Sequence, residues 1–131
     1  MMVNPVYQEG WLLPGGIVET DESPLAAAKR ELAEELGLQT EQRALRLLGI
    51  DYSGAWQQFK DVLHIIFDGG VLLAADESYI TMNLDELGGY RFFTINELLA
   101  GEAGFSGRRL GNLLKNNQPE TTYLEWGKEI V

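Results

Sequence analysis

Several residue types and patterns that define common classes of protein are missing from this 131-residue sequence. It contains no cysteine, which excludes disulfide bonds, thiolate zinc sites and a cysteine nucleophile. The absence of cysteine is compatible with a reducing cytoplasm, where we expect the protein to work. No apolar run approaches the roughly 20 residues that span a bilayer, and the first residues lack the basic and apolar regions of a secretion signal. We therefore expect one soluble domain over residues 1–131, long enough to bury a core.

Positive charge is scarce in the sequence. Ten Lys and Arg face 20 Asp and Glu, which gives a net charge of −10 and a pI of about 4.4. Such a surface repels polyanions, so we expect neither a nucleic-acid polymer nor an anionic membrane as partner. A small anionic ligand is compatible with this charge if a cation mediates the contact. Acidic residues are crowded within 23 positions, opposed there only by Lys29 and Arg30: Glu19, Asp21, Glu22, Glu31, Glu34, Glu35 and Glu41.

The strongest structural signal is a helix that follows the Pro14-Gly15-Gly16 turn. Ser23 is a typical N-cap, Pro24 suits the first helical position, and Gly37 is placed where a glycine commonly ends a helix. We also predict a short N-terminal strand or extended segment up to residue 13, strands over 44–52, 62–67, 71–73 and 90–94, and a hairpin turn at Gly69-Gly70. A short helix capped by Thr94 and Glu97 should end near Ala100, and a last helix capped by Ser106 should end near Asn116-Asn117. Mixed strands with few helices indicate an α+β fold or an α/β/α sandwich.

Three carboxylates share one side of the first predicted helix. At 100° per residue, Glu31, Glu34 and Glu35 lie within about a 100° arc. Arg30 can reach Glu34 at i+4, and Glu22 could pair with Arg30 from the preceding loop. Oxygen ligands in this number suit Mg²⁺ or Mn²⁺, which would relieve the repulsion between the carboxylates. From the charge pattern alone, a solvated acidic helix face is the favoured interpretation.

The exact spacing of these residues adds specific information. The pattern is G-x5-E-x7-R-E-U-x-E-E-x-G-U, where U is aliphatic, and the specified positions are Gly16, Glu22, Arg30, Glu31, Leu32, Glu34, Glu35, Gly37 and Leu38. A chance match at one start point is on the order of one in a billion from average residue usage. This stretch resembles the Nudix box at every specified position. The lead-in from Trp11 to Gly16 is also similar to that of Nudix domains.

The resemblance implies both a fold and an activity. Nudix proteins are α/β/α sandwiches with a mixed sheet, and they hydrolyse a nucleoside diphosphate linked to another moiety with Mg²⁺ or Mn²⁺. By that similarity, Glu34 and Glu35 are metal ligands and the Gly16 carbonyl is a candidate third. Glu31 is either a ligand or the base that deprotonates a metal-bound water, and these alternatives stay open.

Two further roles follow from the same resemblance. Arg30 would orient the glutamates through ion pairs, with Glu22 holding Arg30 in place. A small nucleotide-type compound would be the substrate, but the box does not indicate which one.

Residues outside the box are weaker candidates. Glu86 is the candidate for a further acidic metal ligand, with Asp76, Glu77 and Asp85 as competitors. Substrate contacts are assigned to Trp56, Phe59 and His64. Packing is the simpler role for the two aromatic residues, and an ordinary hydrogen-bonded residue in a strand is the simpler interpretation of His64. Arg108 and Arg109 could bind phosphate, but they are better explained as the start of a solvated helix.

The sequence departs from the family pattern at its N-terminal end. Nudix domains usually carry about two strands before the box, and here ten residues precede Trp11. We therefore expect an N-terminally shortened sandwich with a bare sheet edge. Either a partner subunit covers this edge, or the native start lies upstream, or substrate recognition is altered; of these we predict a homodimer. An alternative to the enzyme is a Nudix-type sensor that binds a nucleotide without cleaving it; the complete set of glutamates favours the enzyme.

Overall fold

The structure is a computed structural model that describes residues 1–41, 43–55, 60–116 and 120–130. Its elements in chain order are β1 (Met2–Pro5), α1 (Pro24–Leu36), β2 (Arg46–Ser53), β3 (Val62–Asp68), α2 (Ala74–Glu77), β4 (Leu87–Arg91), α3 (Ile95–Ala100), α4 (Gly104–Leu114), β5 (Thr122–Glu125) and β6 (Lys128–Glu129). They form two compact units. The first unit comprises Met1–Arg46 and Asp68–Phe92, and the second comprises Leu47–Phe67 and Phe93–Val131. The prediction of one domain over the whole chain stays a prediction.

The first unit is built from helix α1 and a small antiparallel sheet. Strand β1 pairs with β4, with Val3 opposite Tyr90. Val3 also bridges Leu12, and Val3, Leu36 and Leu87 are buried together. The predicted N-terminal strand is therefore only partly correct. Regular pairing stops at Pro5, where the register shifts and where proline cannot donate to a ladder.

Helix α1 is confirmed at both predicted ends. The Ser23 hydroxyl accepts a hydrogen bond from the Ala26 N–H at 3.1 Å, and Pro24 occupies the first turn. Gly37 adopts a left-handed conformation (φ 66°) and its N–H bonds the Ala33 carbonyl. Such a conformation strains any residue with a Cβ atom, so glycine ends the helix there.

The second unit contains a four-stranded mixed sheet in the order β3-β2-β5-β6. Strand β2 runs parallel to β5, with Gly49 opposite Thr122, whereas β5 and β6 are antiparallel. The predicted α+β class with a mixed sheet is thereby confirmed. The β5–β6 hairpin was not predicted. Trp126 and Gly127 form its two-residue loop, both with positive φ (52° and 73°), as hairpin turns of this length require.

The predicted hairpin at Gly69-Gly70 and the strand over 71–73 are wrong. The Asp68 carboxylate accepts the Gly70 N–H at 2.8 Å, which turns the chain. The Arg43 guanidinium then donates to the carbonyls of Gly69 and Val71, so backbone groups that a hairpin would use are bound to a side chain. Residue 73 becomes the N-cap of the short helix α2.

Other element boundaries also differ from the predictions. Strand β4 covers Leu87–Arg91 rather than 90–94, because its register follows β1 and because Thr94 caps α3, as predicted. Helix α4 begins at Gly104 instead of being capped by Ser106. The Ala103 carbonyl already accepts the Gly107 N–H, which closes the first turn earlier. Strand β2 starts two residues later than predicted and ends one later. Within the described ranges, no helix has the length and apolar character needed to cross a membrane.

Candidate metal and phosphate site

Arg30 connects the acidic residues of the first unit. Its Nε donates to Glu22 at 2.8 Å, and its Nη1 donates to Glu31 at 2.7 Å and to Glu34 at 3.1 Å. Its Nη2 binds the Ile17 carbonyl at 3.2 Å. The predicted pairs of Arg30 with Glu22 and Glu34 are both confirmed. The hydrogen bond from Arg30 lowers the pKa of Glu22 to about 2, and the same contacts raise the pKa of Arg30 above its ordinary value. One guanidinium therefore fixes the loop before α1 to the carboxylates of the helix.

The Gly15-Gly16 segment lies directly against two of these carboxylates. The Gly15 N–H donates to Glu35 Oε2 at 2.9 Å. A Cβ atom at Gly16 would overlap the Glu31 carboxylate, so the close approach of this backbone to Glu31 requires glycine. The structure thus places Gly16 beside Glu31, two residues that were both predicted to belong to the metal site. This proximity is needed if the Gly16 carbonyl is to contribute to the same site as Glu31.

Glu35 is the buried member of the cluster, with only 5% of its surface exposed. Its pKa is raised to about 7, first by burial and then by the negative charges of Glu31, Glu86 and Glu34, against the lowering effect of the Gly15 N–H. These neighbours are like charges, so the surroundings of Glu35 carry an excess of negative charge. A group of this kind binds either a proton or a cation more strongly than an isolated carboxylate does.

Glu86 reaches this cluster through the loop before β4. The Asn83 N–H donates to the Glu35 carbonyl at 2.9 Å, and the Asn83 carbonyl accepts the Leu87 N–H at 2.8 Å. The Asn83 side chain then donates to Glu86 Oε1 at 3.1 Å. Two of the competing carboxylates bind elsewhere, since Asp76 pairs with Arg43 and Glu77 accepts the Tyr90 hydroxyl. The charge of Glu86, by contrast, acts directly on Glu35.

The side chains of this cluster do not yet form a complete coordination shell. Across the residues that the structure describes, no three Asp, Glu or His side chains are gathered closely enough to hold a metal ion. Glu31 and Glu34 are turned toward Arg30, and Glu35 is turned toward Gly15. The donor set nevertheless fits a small hard cation, because it consists of carboxylate oxygens and because the negative charge around Glu35 is unbalanced.

Comparison with known proteins decides the family. The model of the NUDIX domain family matches residues 4–114, which is most of the chain. The chain belongs to the NUDIX domain family. Among solved structures, it is similar to the MutT protein from Methanosarcina mazei Go1, with a TM-score of 0.70 and 23% identity over 89% of this chain and 83% of that chain. That likeness shows the fold, and it confirms the Nudix-type architecture that the box implied. No curated protein matches the sequence.

The glycine at the start of the NUDIX box leads to a first prediction. Gly16→Ala should lower turnover about tenfold to a hundredfold, because the new methyl group displaces the Glu31 carboxylate and small misplacements at a reacting centre have effects of this size. The fold should be retained, since the obstructing atoms belong to the end of a flexible side chain. Steady-state kinetics beside thermal unfolding measures both. Gly89→Ala is the matched control, because its Cβ would meet nothing within 4 Å; equal kinetics for the two variants would contradict the placement of Glu31.

A second polar cluster of this NUDIX domain was not predicted from the sequence. In the second unit, Asp51 is fully buried and pairs with Arg109, which is 7% exposed. Asp51 also accepts the Gly127 N–H at 2.8 Å. The Arg109 guanidinium lies 4.9 Å from the centre of the Phe105 ring. The expectation of a solvated Arg109 is therefore wrong, because its charge is paired inside the unit.

His64 belongs to the same unit as this pair. Burial lowers its pKa, the charge of Arg109 lowers it further, and Asp51 partly opposes the shift. His64 is thus placed beside a buried ion pair, and its predicted contact with substrate stays a prediction. The other predicted substrate contacts, Trp56 and Phe59, lie outside the described residues.

Proposed function

We propose that this NUDIX domain hydrolyses the pyrophosphate bond of a nucleoside diphosphate linked to another moiety, with Mg²⁺ or Mn²⁺. The observation that carries the proposal is the position of Glu35. It is buried at the end of the box helix, touches the Gly15 N–H, and is surrounded by the charges of Glu31, Glu34 and Glu86. A concentration of carboxylates beside an open glycine turn suits a cation that binds phosphate oxygens.

Five groups of this chain would hold the metal. They are the carboxylates of Glu31, Glu34, Glu35 and Glu86 and the backbone carbonyl of Gly16. When bound, the cation would neutralise phosphate charge, lower the pKa of a bound water and orient the diphosphate for in-line attack. The role of Glu31 stays open, because its carboxylate is a candidate for a metal ligand and also for the base that deprotonates the bound water.

Arg30 acts as a positioning residue in this proposal. Its guanidinium spaces Glu31 and Glu34 on one side and holds Glu22 on the other. Such an arrangement presets the carboxylates, so less conformational freedom is lost when substrate binds. Phosphoryl-type transfer depends mainly on positioning and charge stabilisation, which is what these side chains supply.

The net charge of the chain supports a small substrate. The chain carries a net charge of −10, which disfavours a nucleic-acid polymer and favours a small anion bridged by a cation. A cytoplasmic enzyme acting on small nucleotides is the function that these properties support. A homodimer stays part of the proposal.

The test is a panel of nucleotide derivatives that contain a pyrophosphate bond. We expect phosphate release, measured after phosphatase coupling, for at least one oxidised nucleotide, nucleotide sugar or dinucleoside polyphosphate in the presence of Mg²⁺ or Mn²⁺. Chelation by EDTA should abolish the activity and excess Mg²⁺ should restore it, because the carboxylates alone cannot neutralise the diphosphate. Binding of a panel compound without turnover would instead support a nucleotide sensor.

A further inference from the structure

The segment after β1 passes alongside the acidic cluster. The Val6 N–H donates to the Glu86 carbonyl at 2.8 Å, immediately beyond the last residue of the strand. Tyr7 is the next residue and lies in the exposed stretch 6–10, which precedes the box. The same backbone contact that fixes Glu86 from one side therefore places Tyr7 at the edge of the cluster.

Tyr7 has little role in holding the fold together. Its surface is 68% exposed, far more than is usual for an aromatic residue that packs in a core. Within the described ranges its hydroxyl has no hydrogen-bond partner. An exposed phenol with an unused donor at the edge of a candidate active site is available to a ligand.

Tyr7 is subject to the negative charges of the cluster. Partial burial raises the pKa of Tyr7, and the charges of Glu35, Glu86 and Glu31 raise it further. These are three of the four carboxylates assigned to the metal, so Tyr7 shares their charged surroundings. A phenol with the ordinary tyrosine pKa of about 10 already keeps its proton throughout the neutral range and remains a donor there.

We propose that the Tyr7 hydroxyl donates a hydrogen bond to a non-bridging oxygen of the substrate diphosphate bound beside Glu31, Glu35 and Glu86. The inference rests on the proposed function and adds a catalytic residue outside the box. A neutral donor suits this place, because a lysine or arginine there would compete with a cation for the carboxylates. Since the contact is made to the diphosphate, Tyr7 contributes equally to substrates that carry different bases.

The experiment compares Tyr7→Phe with Tyr79→Phe. Tyr79 is a similarly exposed tyrosine of the first unit, and it lies just after helix α2 instead of after β1. We expect kcat/KM of Tyr7→Phe to fall about 10- to 100-fold, the usual effect of losing a hydrogen bond to a charged group. The loss should be the same for every panel compound that the wild-type protein hydrolyses. Tyr79→Phe should match the wild type, and both variants should keep its Tm.

A second readout does not depend on turnover. Isothermal titration calorimetry with methylenediphosphonate and Mg²⁺ probes the diphosphate contact without any base, and Tyr7→Phe should bind it about tenfold more weakly. The inference is overturned if Tyr7→Phe keeps the wild-type kcat/KM and the wild-type affinity. This holds even if Tyr7→Ala is impaired, because that result would indicate that the ring stacks on the ligand and that the hydroxyl makes no contact. If the wild-type protein neither hydrolyses the panel nor binds methylenediphosphonate, the proposed function itself fails and this inference fails with it.

Discussion

Replacing Glu35 by glutamine should reduce turnover by orders of magnitude and at the same time stabilise the metal-free protein above pH 7. The loss of activity is expected because Glu35 is the buried carboxylate of the proposed metal site, and an amide oxygen is a much weaker ligand for Mg²⁺ or Mn²⁺. Glutamine keeps the shape of the side chain and can still accept the Gly15 N–H. The fold should therefore be preserved.

The gain in stability follows from the pKa of Glu35. It is raised from 4.5 to about 7 in the folded protein, so between these values the folded state binds more protons than the unfolded state. The contribution of Glu35 to stability is then fully present below about pH 4.5 and is lost as the pH rises through 7. Glutamine carries no charge at any pH. At pH 8 and without metal, we expect its free energy of unfolding to exceed that of the wild type by about 1–3 kcal/mol.

Urea unfolding in EDTA at pH 5 and pH 8 measures this difference. The advantage of Glu35→Gln should be present at pH 8 and nearly absent at pH 5. Glu34→Gln is the matched control on the same helix, because its side chain is 56% exposed. Removing such a surface charge changes stability by less than about 1 kcal/mol. A Glu35→Gln variant that is less stable than the wild type at pH 8 would contradict the excess of negative charge at this position.

The opposite effects of this substitution have one physical origin. The negative charges of Glu31, Glu86 and Glu34 repel the carboxylate of Glu35, and burial of Glu35 strengthens the repulsion. Arg30 neutralises part of the charge on Glu31 and Glu34, but no ion pair joins it to Glu35. The proposed metal site would therefore lower the stability of the metal-free fold, as functional sites commonly do.

Local signals explain which parts of the fold could be predicted. Helix α1 was predicted correctly at both ends, because Ser23, Pro24 and Gly37 act on their immediate neighbours. The contact between Arg30 and Glu34 follows from helical spacing alone. The box also identified the acidic cluster, since its members lie close together in the sequence. In each case the determining residues are within one or two helical turns of the feature that they specify.

Features that depend on distant residues could not be predicted in this way. Asp51 and Arg109 are separated by 58 positions, and nothing near either residue indicates a buried pair. The strand over 71–73 was predicted because two glycines precede an apolar run, but Arg43, from more than 25 positions earlier, binds those backbone carbonyls. The β5–β6 hairpin had a usable signal in Trp126-Gly127, which follows a strand-like run that includes a threonine and a tyrosine.

Breaking the buried pair of the second unit should have the largest effect on stability. Asp51→Asn keeps the size of the side chain but leaves the charge of Arg109 without its partner in a buried place. Loss of one member of a buried ion pair typically destabilises a protein by about 3–5 kcal/mol. The hydrogen bond from the Gly127 N–H is weakened as well, because a neutral amide replaces the carboxylate. We expect a loss of this size in urea unfolding at neutral pH.

The control is Asp68→Asn, which removes an exposed ion pair with Arg46 but keeps an oxygen that can accept the Gly70 N–H. It should change stability by no more than about 1 kcal/mol. His64 supplies an independent measurement, because it is the only histidine of the chain and its titration can be followed by NMR. Asp51 normally opposes the lowering of the His64 pKa, so Asp51→Asn should move that pKa further down. Equal stabilities of the two variants, or an unchanged His64 titration, would show that the Asp51–Arg109 pair does not organise the second unit.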